Sequence, residues 1–323
     1  MISMKKFLAL IEKEIKKQKF GKKPDSLYEP IRYIMLLGGK RLRPMLVLLS
    51  YSLYKKNPES IIKYAVAVEA FHNFTLMHDD IMDKAPLRRG KTTVHEKWNV
   101  NTAILAGDVM LVKVYEMFLT LPEKKLIQVL KAFNRCAAEV CEGQQWDMEF
   151  EIQGKVSERE YIQMIRLKTA VLLGFSLELG ALLADATKKD QIALREFGIN
   201  LGIGFQLKDD WLDVYADKKK FGKQVGGDII SNKKTFLLIK AMERAQGKTK
   251  KELNDWLYSK RFNKDKKVKA VTVIYDSLKI GDLTEEKAVD YFIKAFKLID
   301  HLSLNERSKE LKFFASTLIA RES

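Results

Sequence analysis

The middle of the chain consists of long segments in which apolar residues recur every three or four positions, as they do along one face of an α-helix. In segment 60–83 the stripe consists of Tyr64, Ala67, Val68, Phe71, Phe74, Thr75 and His78. Segment 102–121 is apolar on almost every side, which predicts a helix in the centre of the core. Segments 158–185 and 191–217 each predict one helix longer than usual. Together these patterns predict the inner helices of a large bundle.

The distribution of proline supports the same fold class. All six prolines lie at or before Pro122, so residues 123–323 contain none. Proline is common in turns, loops and edge strands, and a proline-free stretch of this length therefore favours helices over a β-sandwich or β-barrel. No change in composition marks a domain boundary. We predict an all-α protein that forms a single domain, residues 1–323.

The charge of the chain is strongly positive, with 58 Lys and Arg against 42 Asp and Glu and a net charge of +16. This charge attracts polyanions, but it does not distinguish nucleic acid, anionic lipid and phosphorylated metabolites. After residue 241 the lysines concentrate in GKTKKEL and FNKDKKVK, without interleaved aromatic or glycine residues. We interpret this region as a solvated outer helical hairpin, not as a nucleic-acid-binding surface.

The cysteines and the N-terminal residues predict the cellular compartment of the protein. Cys136 and Cys141 belong to no CxxC or Cys/His set, so we expect both to be buried in a helix in a reducing compartment. The N-terminal apolar run FLALI ends at Glu12 and is too short for a signal peptide. No segment approaches the roughly 18 apolar residues of a membrane span. We therefore predict a cytoplasmic protein without stable membrane insertion.

Two aspartate triplets carry the most specific chemical signal. DDIMD contains Asp79, Asp80 and Asp83, and DDWLD contains Asp209, Asp210 and Asp213. Since 19 of the 323 residues are aspartate, random placement would give about 0.07 triplets of this spacing, and two make chance a poor explanation.

The triplets predict a site for a hard cation. On a helix the first and last aspartates of each triplet lie on one face, one turn apart, where like charges repel. Both triplets are embedded in apolar sequence, where unpaired carboxylates are costly. Mg²⁺ fits this donor set, because it is bound by one or two carboxylates together with water and substrate phosphate. Helix N-caps or solvated acidic turns are the alternative, and calcium storage is disfavoured because neither triplet has the D-x-D-x-D-G loop.

Basic residues cluster near both triplets. They are Lys40, Arg41 and Arg43 in GGKRLRP, Arg88 and Arg89 in LRRG, and Lys223 and Lys233 after the second triplet. Such clusters bind phosphate and diphosphate, and arginine can do so with two hydrogen bonds at once. His72 lies seven residues before Asp79, two helical turns away, so both side chains are expected to point to the same cavity. A histidine packed in the core is the alternative interpretation of His72.

The ordered set GGKRLRP, FHNFTLMHDDIMD-x4-RRG, GQQWD, LKT, GFQLKDDWLD and GK-x4-D-x4-K-x-T resembles that of the trans-isoprenyl diphosphate synthases. This family of polyprenyl synthetases includes the farnesyl and geranylgeranyl diphosphate synthases, and the resemblance runs from about Gly38 to Thr235. It implies the all-α isoprenoid synthase fold, a large helical bundle in which the two aspartate-rich helices face each other across a deep central cavity. It also implies a homodimer formed through central helices.

The resemblance further implies roles for individual residues. The implied metal ligands are Asp79, Asp83 and Asp209, which would hold three Mg²⁺ ions, with Asp147 near the metals and Asp213 as a weaker candidate. The implied contacts of the allylic diphosphate are Arg88, Lys168, Lys223 and Lys233, and Gln144 forms a supporting pair with Asp147. The implied contacts of isopentenyl diphosphate are Lys40, Arg43, His72 and Arg89. The implied cation-stabilising oxygens belong to Lys168, Thr169 and Gln206.

The implied reaction is a head-to-tail prenyl transfer. The allylic diphosphate ionises, the double bond of isopentenyl diphosphate attacks the allylic cation, and a proton is lost to the departed diphosphate. One bulky aromatic, Phe74, stands five residues before Asp79, and the small Thr75 stands four before it, which resembles the geranylgeranyl type. Phe71 would close the cavity one turn deeper. We predict a product of twenty carbons, with fifteen carbons as the competing length and ordinary core packing as the alternative role of both phenylalanines.

Several other classes fit the motifs less well. A terpene cyclase is expected to have an N-D-x-x-S-x-x-x-E second motif and has no use for GGKRLRP, and a catalytically silent subunit usually loses one aspartate motif. A His-Asp phosphohydrolase needs more histidine ligands than His72, His95 and His301 can supply. A basic nucleic-acid-binding helical protein would leave the aspartate triplets unexplained. We therefore predict no nucleic-acid partner.

Overall fold

The computed structural model describes residues 4–216, 226–259, 261–300, 302 and 308–320, and most of them are helical. Within these ranges the β-structure is one short antiparallel hairpin, in which β1 (Leu87–Arg88) pairs with β2 (Lys91–Thr92). The prediction of an all-α protein is confirmed.

The chain divides into two compact units. The first consists of Met1–Arg135 and Phe175–Arg195, and the second of Cys136–Gly174 and Glu196–Ser323. The prediction that the chain forms one domain stays a prediction.

The first unit contains the helix with the first aspartate triplet. Its helices are α1 (Met4–Lys17), α2 (Asp25–Leu36), α3 (Leu42–Ser52), α4 (Ile62–Met82), α5 (Val94–Lys97) and α6 (Val100–Phe118), with a 3₁₀ turn at Pro58–Ile61. Helix α4 confirms the helix predicted for segment 60–83, and it packs against α1, α3 and α6. Helix α6 begins where the Asn99 side chain accepts a hydrogen bond from the Thr102 amide at 2.8 Å, a common helix N-cap.

Helix α6 is less central than its sequence predicts. The small residues Ala103, Ala106 and Gly107 are buried, and they let a neighbouring helix approach closely. On another face of α6, Leu105 is 58% exposed and Val112 is 55% exposed. The expectation of a helix enclosed on all sides is therefore wrong for this chain, because its apolar residues occupy an exposed face as well as a buried one.

Three long helices contribute residues to both units: α7 (Glu123–Ile152), α9 (Val171–Leu183) and α10 (Lys188–Tyr215). The single helix predicted for segment 158–185 is interrupted. Helix α8 (Glu158–Ile165) starts with a capping box between Ser157 and Glu160 and continues into a π-helical turn, Arg166–Ala170, before α9 begins. Such turns insert an extra residue into a helix and occur frequently at functional sites. This one carries Lys168 and Thr169.

The remaining helices belong to the second unit. They are α11 (Gly227–Ser231), α12 (Phe236–Arg244), α13 (Gly247–Tyr258), α14 (Lys264–Ser277), α15 (Ile280–Asp300) and α16 (Lys309–Ile319). The helical hairpin predicted from the lysine-rich segments is α13 and α14. It is not merely a solvated surface, because Leu253, Val271 and Ile274 belong to a buried cluster and Lys267 is fully buried.

Two further expectations concern single features. Cys136 is buried as predicted, whereas Cys141 is exposed on α7, so the prediction that both cysteines are buried is wrong for Cys141. Among the helices that the structure describes, none combines the length and the apolar character needed to span a membrane.

Candidate active site

The first aspartate triplet lies at the C-terminal end of α4. Asp79 and Asp80 belong to its last turn, and Asp83 is the C-cap residue. The helix ends because Lys84 adopts a left-handed conformation (φ 50°), which lets the Ala85 amide donate to the Asp80 carbonyl at 2.9 Å. This is a Schellman arrangement, and it turns the chain sharply right after the triplet.

Arg88 returns to this triplet from the β-hairpin. Its Nε lies 2.9 and 2.8 Å from the two carboxylate oxygens of Asp80, and its Nη2 lies 2.7 Å from Oδ1. The same Nη2 is 3.5 Å from Oδ2 of Asp79. Burial raises the pKa of Asp80, and the guanidinium of Arg88 opposes that rise. Arg88 therefore offsets part of the negative charge of the triplet.

The two adjacent arginines of the hairpin, Arg88 and Arg89, contact different partners. Its two-residue loop, Arg89 and Gly90, has positive φ at both positions (53° and 73°), as a type I′ turn requires. Arg89 consequently leaves the triplet and donates a hydrogen bond to the carbonyl of Gly38. Gly39 has φ 132°, a backbone conformation that favours glycine, and a Cβ there would lie 2.7 Å from Cζ of Arg89, where the guanidinium crosses this loop.

A second cationic group forms around His72. Nη1 of Arg43 lies 3.0 Å from Nε2 of His72. Because a guanidinium can only donate, Nε2 must accept, and the neutral imidazole carries its proton on Nδ1. Burial, followed by the positive charges of Arg43 and Arg89, holds the pKa of His72 well below its ordinary value. The structure thus brings Arg43, His72 and Arg89 together, and Lys40 is exposed on the loop of Gly38 and Gly39.

Arg41 has a different role from the basic residues beside it. Its side chain is fully buried, donating from Nε to Glu12 at 2.7 Å, from Nη1 to Glu69 at 2.8 Å and from Nη2 to the Met35 carbonyl at 2.8 Å. Its own backbone is left-handed, with φ 46°. The sequence grouped Arg41 with phosphate-binding residues, but its guanidinium is occupied inside the fold and fixes the loop that carries Lys40.

Of the two phenylalanines before the first triplet, Phe71 is more deeply buried than Phe74. Phe71 is 1% exposed, and its ring lies edge-on to Phe133 with 5.0 Å between centroids. Phe74 is half-buried and lies 4.8 Å from the ring of His78, while the Thr75 hydroxyl donates to the His72 carbonyl at 2.8 Å. Phe71 is therefore part of an aromatic core, and Phe74 lies at the edge of that core.

In the second unit, Lys168 is paired with an acid of the GQQWD motif. Nζ of Lys168 donates to Oδ2 of Asp147 at 2.6 Å. Gly143 on α7 makes this approach possible, because a Cβ there would collide with the Lys168 backbone. The sequence pointed to Lys168 and Asp147 but gave no sign of the close contact at Gly143.

One cavity of the second unit collects several of the predicted side chains. Its polar lining residues are Asp147, Tyr161, Lys168, Thr169, Gln206, Asp210, Lys233 and Thr235. Asp210 is the middle aspartate of the second triplet, and Tyr161 belongs to none of the sequence motifs. Burial, followed by repulsion from Asp228, raises the pKa of Asp210 to about 7.

The remaining aspartates of this unit are close enough to influence one another. The Asp228 amide donates to Oδ2 of Asp213 at 3.0 Å. Burial raises the pKa of Asp228 to about 6, with Lys233 opposing the rise and Asp213, Asp209 and Asp147 adding to it. Asp228 is the aspartate of the GK-x4-D-x4-K-x-T motif, and no role is predicted for it from the sequence.

Helix α11, which carries Asp228, and the turn that follows it to Lys233 rest on a buried lysine. Nζ of Lys267 donates to the Ile230 carbonyl at 3.2 Å and to Oδ1 of Asn232 at 2.6 Å. The Lys233 amide donates to the Asp228 carbonyl at 2.9 Å. Lys267 therefore holds the C-terminal end of α11, next to Lys233. No motif marked it, because its neighbours are exposed lysines.

Two predicted residues are less informative. Lys223 lies outside the described residues. Gln144 is half-buried on α7, and its Nε2 atom is buried without a hydrogen-bond partner in the described part of the chain.

The acidic residues fit Mg²⁺ bound jointly with a phosphate substrate. They offer oxygen donors, the ligand type that Mg²⁺ prefers. In the part of the chain that the structure describes, no three Asp, Glu, His or Cys side chains are arranged to hold a metal by themselves. Mg²⁺ is usually bound by one or two carboxylates, with water and phosphate as the other ligands.

Comparison with known proteins places this arrangement in a family. The family model described as Polyprenyl synthetase matches residues 24–275 of the chain, and this range contains both aspartate triplets and all the basic residues described above. The chain is a member of the polyprenyl synthetase family. The predicted family resemblance is therefore confirmed, and this polyprenyl synthetase is a prenyltransferase.

Individual relatives of this polyprenyl synthetase cover most of its length. The short chain isoprenyl diphosphate synthase of Methanocaldococcus jannaschii is 40% identical over 279 residues, which is 86% of this chain and 84% of the relative. The geranylgeranyl diphosphate synthase of Methanosarcina mazei is 44% identical over 225 residues, 69% of each chain. A crystal structure of a geranylgeranyl pyrophosphate synthase matches with a TM-score of 0.95 and 44% identity and covers 100% of both chains.

Proposed function

We propose that this polyprenyl synthetase condenses isopentenyl diphosphate with allylic diphosphates in an Mg²⁺-dependent, head-to-tail reaction. One observation carries the proposal: the first unit has two separate cationic groups. Arg88 hydrogen-bonds Asp80 of the aspartate triplet, while Arg43 lies against His72 and Arg89 hydrogen-bonds the Gly38 carbonyl. Two diphosphates need two such groups, whereas a terpene cyclase needs one.

The acidic residues are proposed to bind the metal ions. Asp79, Asp83 and Asp209 hold three Mg²⁺ ions, Asp147 stands close to them, and Asp213 is a second-tier candidate ligand. The charge that Mg²⁺ supplies when bound offsets the negative charge of the leaving diphosphate. Burial raises the pKa of Asp228, and repulsion from Asp213, Asp209 and Asp147 adds to the rise, so a cation bound near these carboxylates would offset charge that the protein leaves uncompensated.

The cationic side chains are proposed to orient the two substrates. The allylic diphosphate contacts Arg88, Lys168, Lys223 and Lys233, with Gln144 in support, and isopentenyl diphosphate contacts Lys40, Arg43, His72 and Arg89. Because His72 is neutral and accepts from Arg43, it fixes the orientation of that guanidinium and adds no charge of its own. The fixed donors of Arg43 can then meet the diphosphate without reorganising.

The oxygens near the π-turn are proposed to act on the allylic cation after the C–O bond breaks. The Lys168 carbonyl, the Thr169 hydroxyl and the Gln206 side chain supply these oxygens, and Lys168 and Thr169 belong to the turn itself. Isopentenyl diphosphate then attacks the cation, and its proton passes to the departed diphosphate. No side-chain nucleophile takes part.

Product length is proposed to depend on Phe74, with Thr75 beside it and Phe71 one turn deeper. Phe71 is already packed against Phe133, so it forms a fixed floor, whereas Phe74 is only half-buried. We propose a twenty-carbon product, and fifteen carbons is the competing length. We also propose a homodimer, which the exposed apolar face of α6 around Leu105 and Val112 supports. A cytoplasmic location stays a prediction.

A turnover assay tests the proposal. The purified chain is incubated with isopentenyl diphosphate and dimethylallyl, geranyl or farnesyl diphosphate, with Mg²⁺ or with EDTA, and released diphosphate and prenyl products are measured. We expect diphosphate release that requires Mg²⁺ and products extended by five carbons per step. Equal diphosphate release with Mg²⁺ and with EDTA, or the absence of extended products, would refute it.

A further inference from the structure

A hydrogen-bonded chain of side chains in the second unit leads from a buried tyrosine to the π-turn. The Tyr161 hydroxyl donates to Oδ2 of Asp210, Nε2 of Gln206 donates to Oδ1 of Asp210 at 3.0 Å, and Oγ1 of Thr169 donates to Oε1 of Gln206 at 3.2 Å. Asp210 is the middle aspartate of the second triplet, to which neither metal nor substrate binding has assigned a role. Tyr161 belongs to no motif.

We propose that Tyr161 and Asp210 are positioning residues that fix the side-chain amide of Gln206 and, through it, the direction of the Thr169 hydroxyl. The inference rests on the proposed function, because it explains how Thr169 and Gln206 can serve as oxygen acceptors for an allylic cation.

Asp210 determines the orientation of the Gln206 side-chain amide. In its ionised form, which accepts from both Tyr161 and Gln206, Asp210 has no proton to donate, so it binds the NH₂ end of Gln206 and repels its carbonyl end. Flipping the amide would bring Oε1 of Gln206 against Oδ1 of Asp210 and lose the 3.0 Å hydrogen bond. Asp210 therefore directs Oε1 towards Thr169.

Asp210 is itself held by a second hydrogen bond, which Tyr161 donates to its other carboxylate oxygen. Tyr161 is 2% exposed and Asp210 is 4% exposed, so water does not compete freely for either group. With one carboxylate oxygen bound to Tyr161 and the other to Gln206, rotation of the Asp210 side chain would break a buried hydrogen bond.

The backbone of α10 passes close to the backbone of the π-turn. A Cβ on Gly202 would lie 2.7 Å from Cα of Ala170, so α10 approaches the π-turn closely at this glycine. Gln206 follows Gly202 by four residues and lies on the same face of α10. The close approach at Gly202 brings Gln206 within hydrogen-bond distance of Thr169.

The hydrogen bond to Gln206 determines what the Thr169 hydroxyl can offer to an allylic cation. A hydroxyl has one proton, and in Thr169 that proton is engaged by Gln206, so the oxygen offers its lone pairs to other partners. Lone pairs stabilise a nearby positive charge, whereas a free hydroxyl proton turned towards it would oppose it. Tyr161 and Asp210 therefore ensure that Thr169 turns its oxygen lone pairs, and not its proton, towards the cation, although neither residue touches the substrate.

A double-mutant cycle between Tyr161→Phe and Gln206→Leu tests this. Tyr161→Phe keeps the ring and removes the hydroxyl. We expect it to lower kcat about tenfold, the effect of one hydrogen bond, and to leave KM for both diphosphates within about twofold. In the Gln206→Leu background it should lower kcat less than twofold, because the link to Thr169 is already lost. Tyr51→Phe, which removes the buried hydroxyl near Ser60, is the matched control and should leave kcat unchanged.

The outcomes separate failure of the inference from failure of the proposed function. If Gln206→Leu lowers kcat but Tyr161→Phe does not, or if the two effects multiply in the double variant, the inference is wrong. If Gln206→Leu has no effect on a turning-over enzyme, the proposed role of Gln206 is wrong. Absence of turnover in the wild type would contradict the proposed function itself.

A second comparison applies should Tyr161→Phe not fold. Thr169→Ser keeps the hydroxyl that donates to Gln206, and Thr169→Val keeps the shape without it. We expect Thr169→Ser to retain at least half of kcat and Thr169→Val to lose about tenfold, with no further loss when Gln206→Leu is added. Equal kcat in the Ser and Val variants would overturn the inference.

Discussion

Replacing Arg41 by methionine should destabilise the protein, although the sequence places Arg41 in a cluster of phosphate-binding residues. The side chain is fully buried and makes three hydrogen bonds, two of them to carboxylates. Glu69, one of these partners, is 2% exposed and would remain as a buried charge without its guanidinium. Breaking a buried pair in this way costs about 3–5 kcal/mol.

That cost translates into a measurable shift in melting temperature. Unfolding entropy averages about 2.1 cal/mol/K per residue, or roughly 0.7 kcal/mol/K for a cooperative chain of this length. Arg41→Met should therefore lower Tm by about 4–7 °C in differential scanning calorimetry. Arg159→Met, at an exposed position of α8, is the control and should change Tm by less than about 1 °C.

A double variant separates the buried charge from the loss of packing. Arg41→Met with Glu69→Leu removes both members of the pair, so it should recover more than half of the lost Tm. The reasoning is refuted if Arg41→Met melts within 1 °C of the wild type, or if the double variant is less stable than Arg41→Met alone.

Three further predictions follow from single residues. Phe74→Ala should lengthen the products seen by mass spectrometry, and an unchanged distribution would contradict its role as a limit on chain growth. Because His72 has a lowered pKa, the unfolded state takes up a proton that the folded state does not. The free energy of unfolding should therefore fall as pH drops below about 6.5, by up to about 1.4 kcal/mol per pH unit. His72→Gln should show a flatter Tm profile between pH 5 and 7.5, and a profile identical to the wild type would contradict this role of His72. Lys267→Met should raise KM for the allylic diphosphate more than KM for isopentenyl diphosphate, because it releases the loop of Lys233, whereas the exposed Lys266→Met should change neither.

The sequence was sufficient to predict the fold class and much of the site. Apolar periodicity predicted α4 and α10, since a helix that buries one face must repeat its apolar residues at that spacing. The aspartate triplets and their order among basic motifs predicted the family. These signals are local in the chain, so they can be read without knowing which segments meet.

Features that depend on contacts between distant segments could not be predicted. Lys267 looks like its exposed neighbours and is buried only because α14 packs next to α11. Arg41 looks like Arg43 but faces Glu12 and Glu69. The π-turn at Lys168 leaves no mark in the apolar pattern, because the α9 segment that follows it is buried on all sides and has no apolar face whose phase could shift.

The central claim is that both aspartate triplets serve one prenyl transfer, and the most direct test is the rate of isopentenyl incorporation by Asp79→Ala and by Asp209→Ala. Asp108→Ala, at an exposed position of α6, serves as the control and should keep the wild-type rate. We predict that each of the two variants loses turnover by at least about a thousandfold while remaining folded, since each loses a proposed Mg²⁺ ligand. Wild-type activity in either variant would contradict the account.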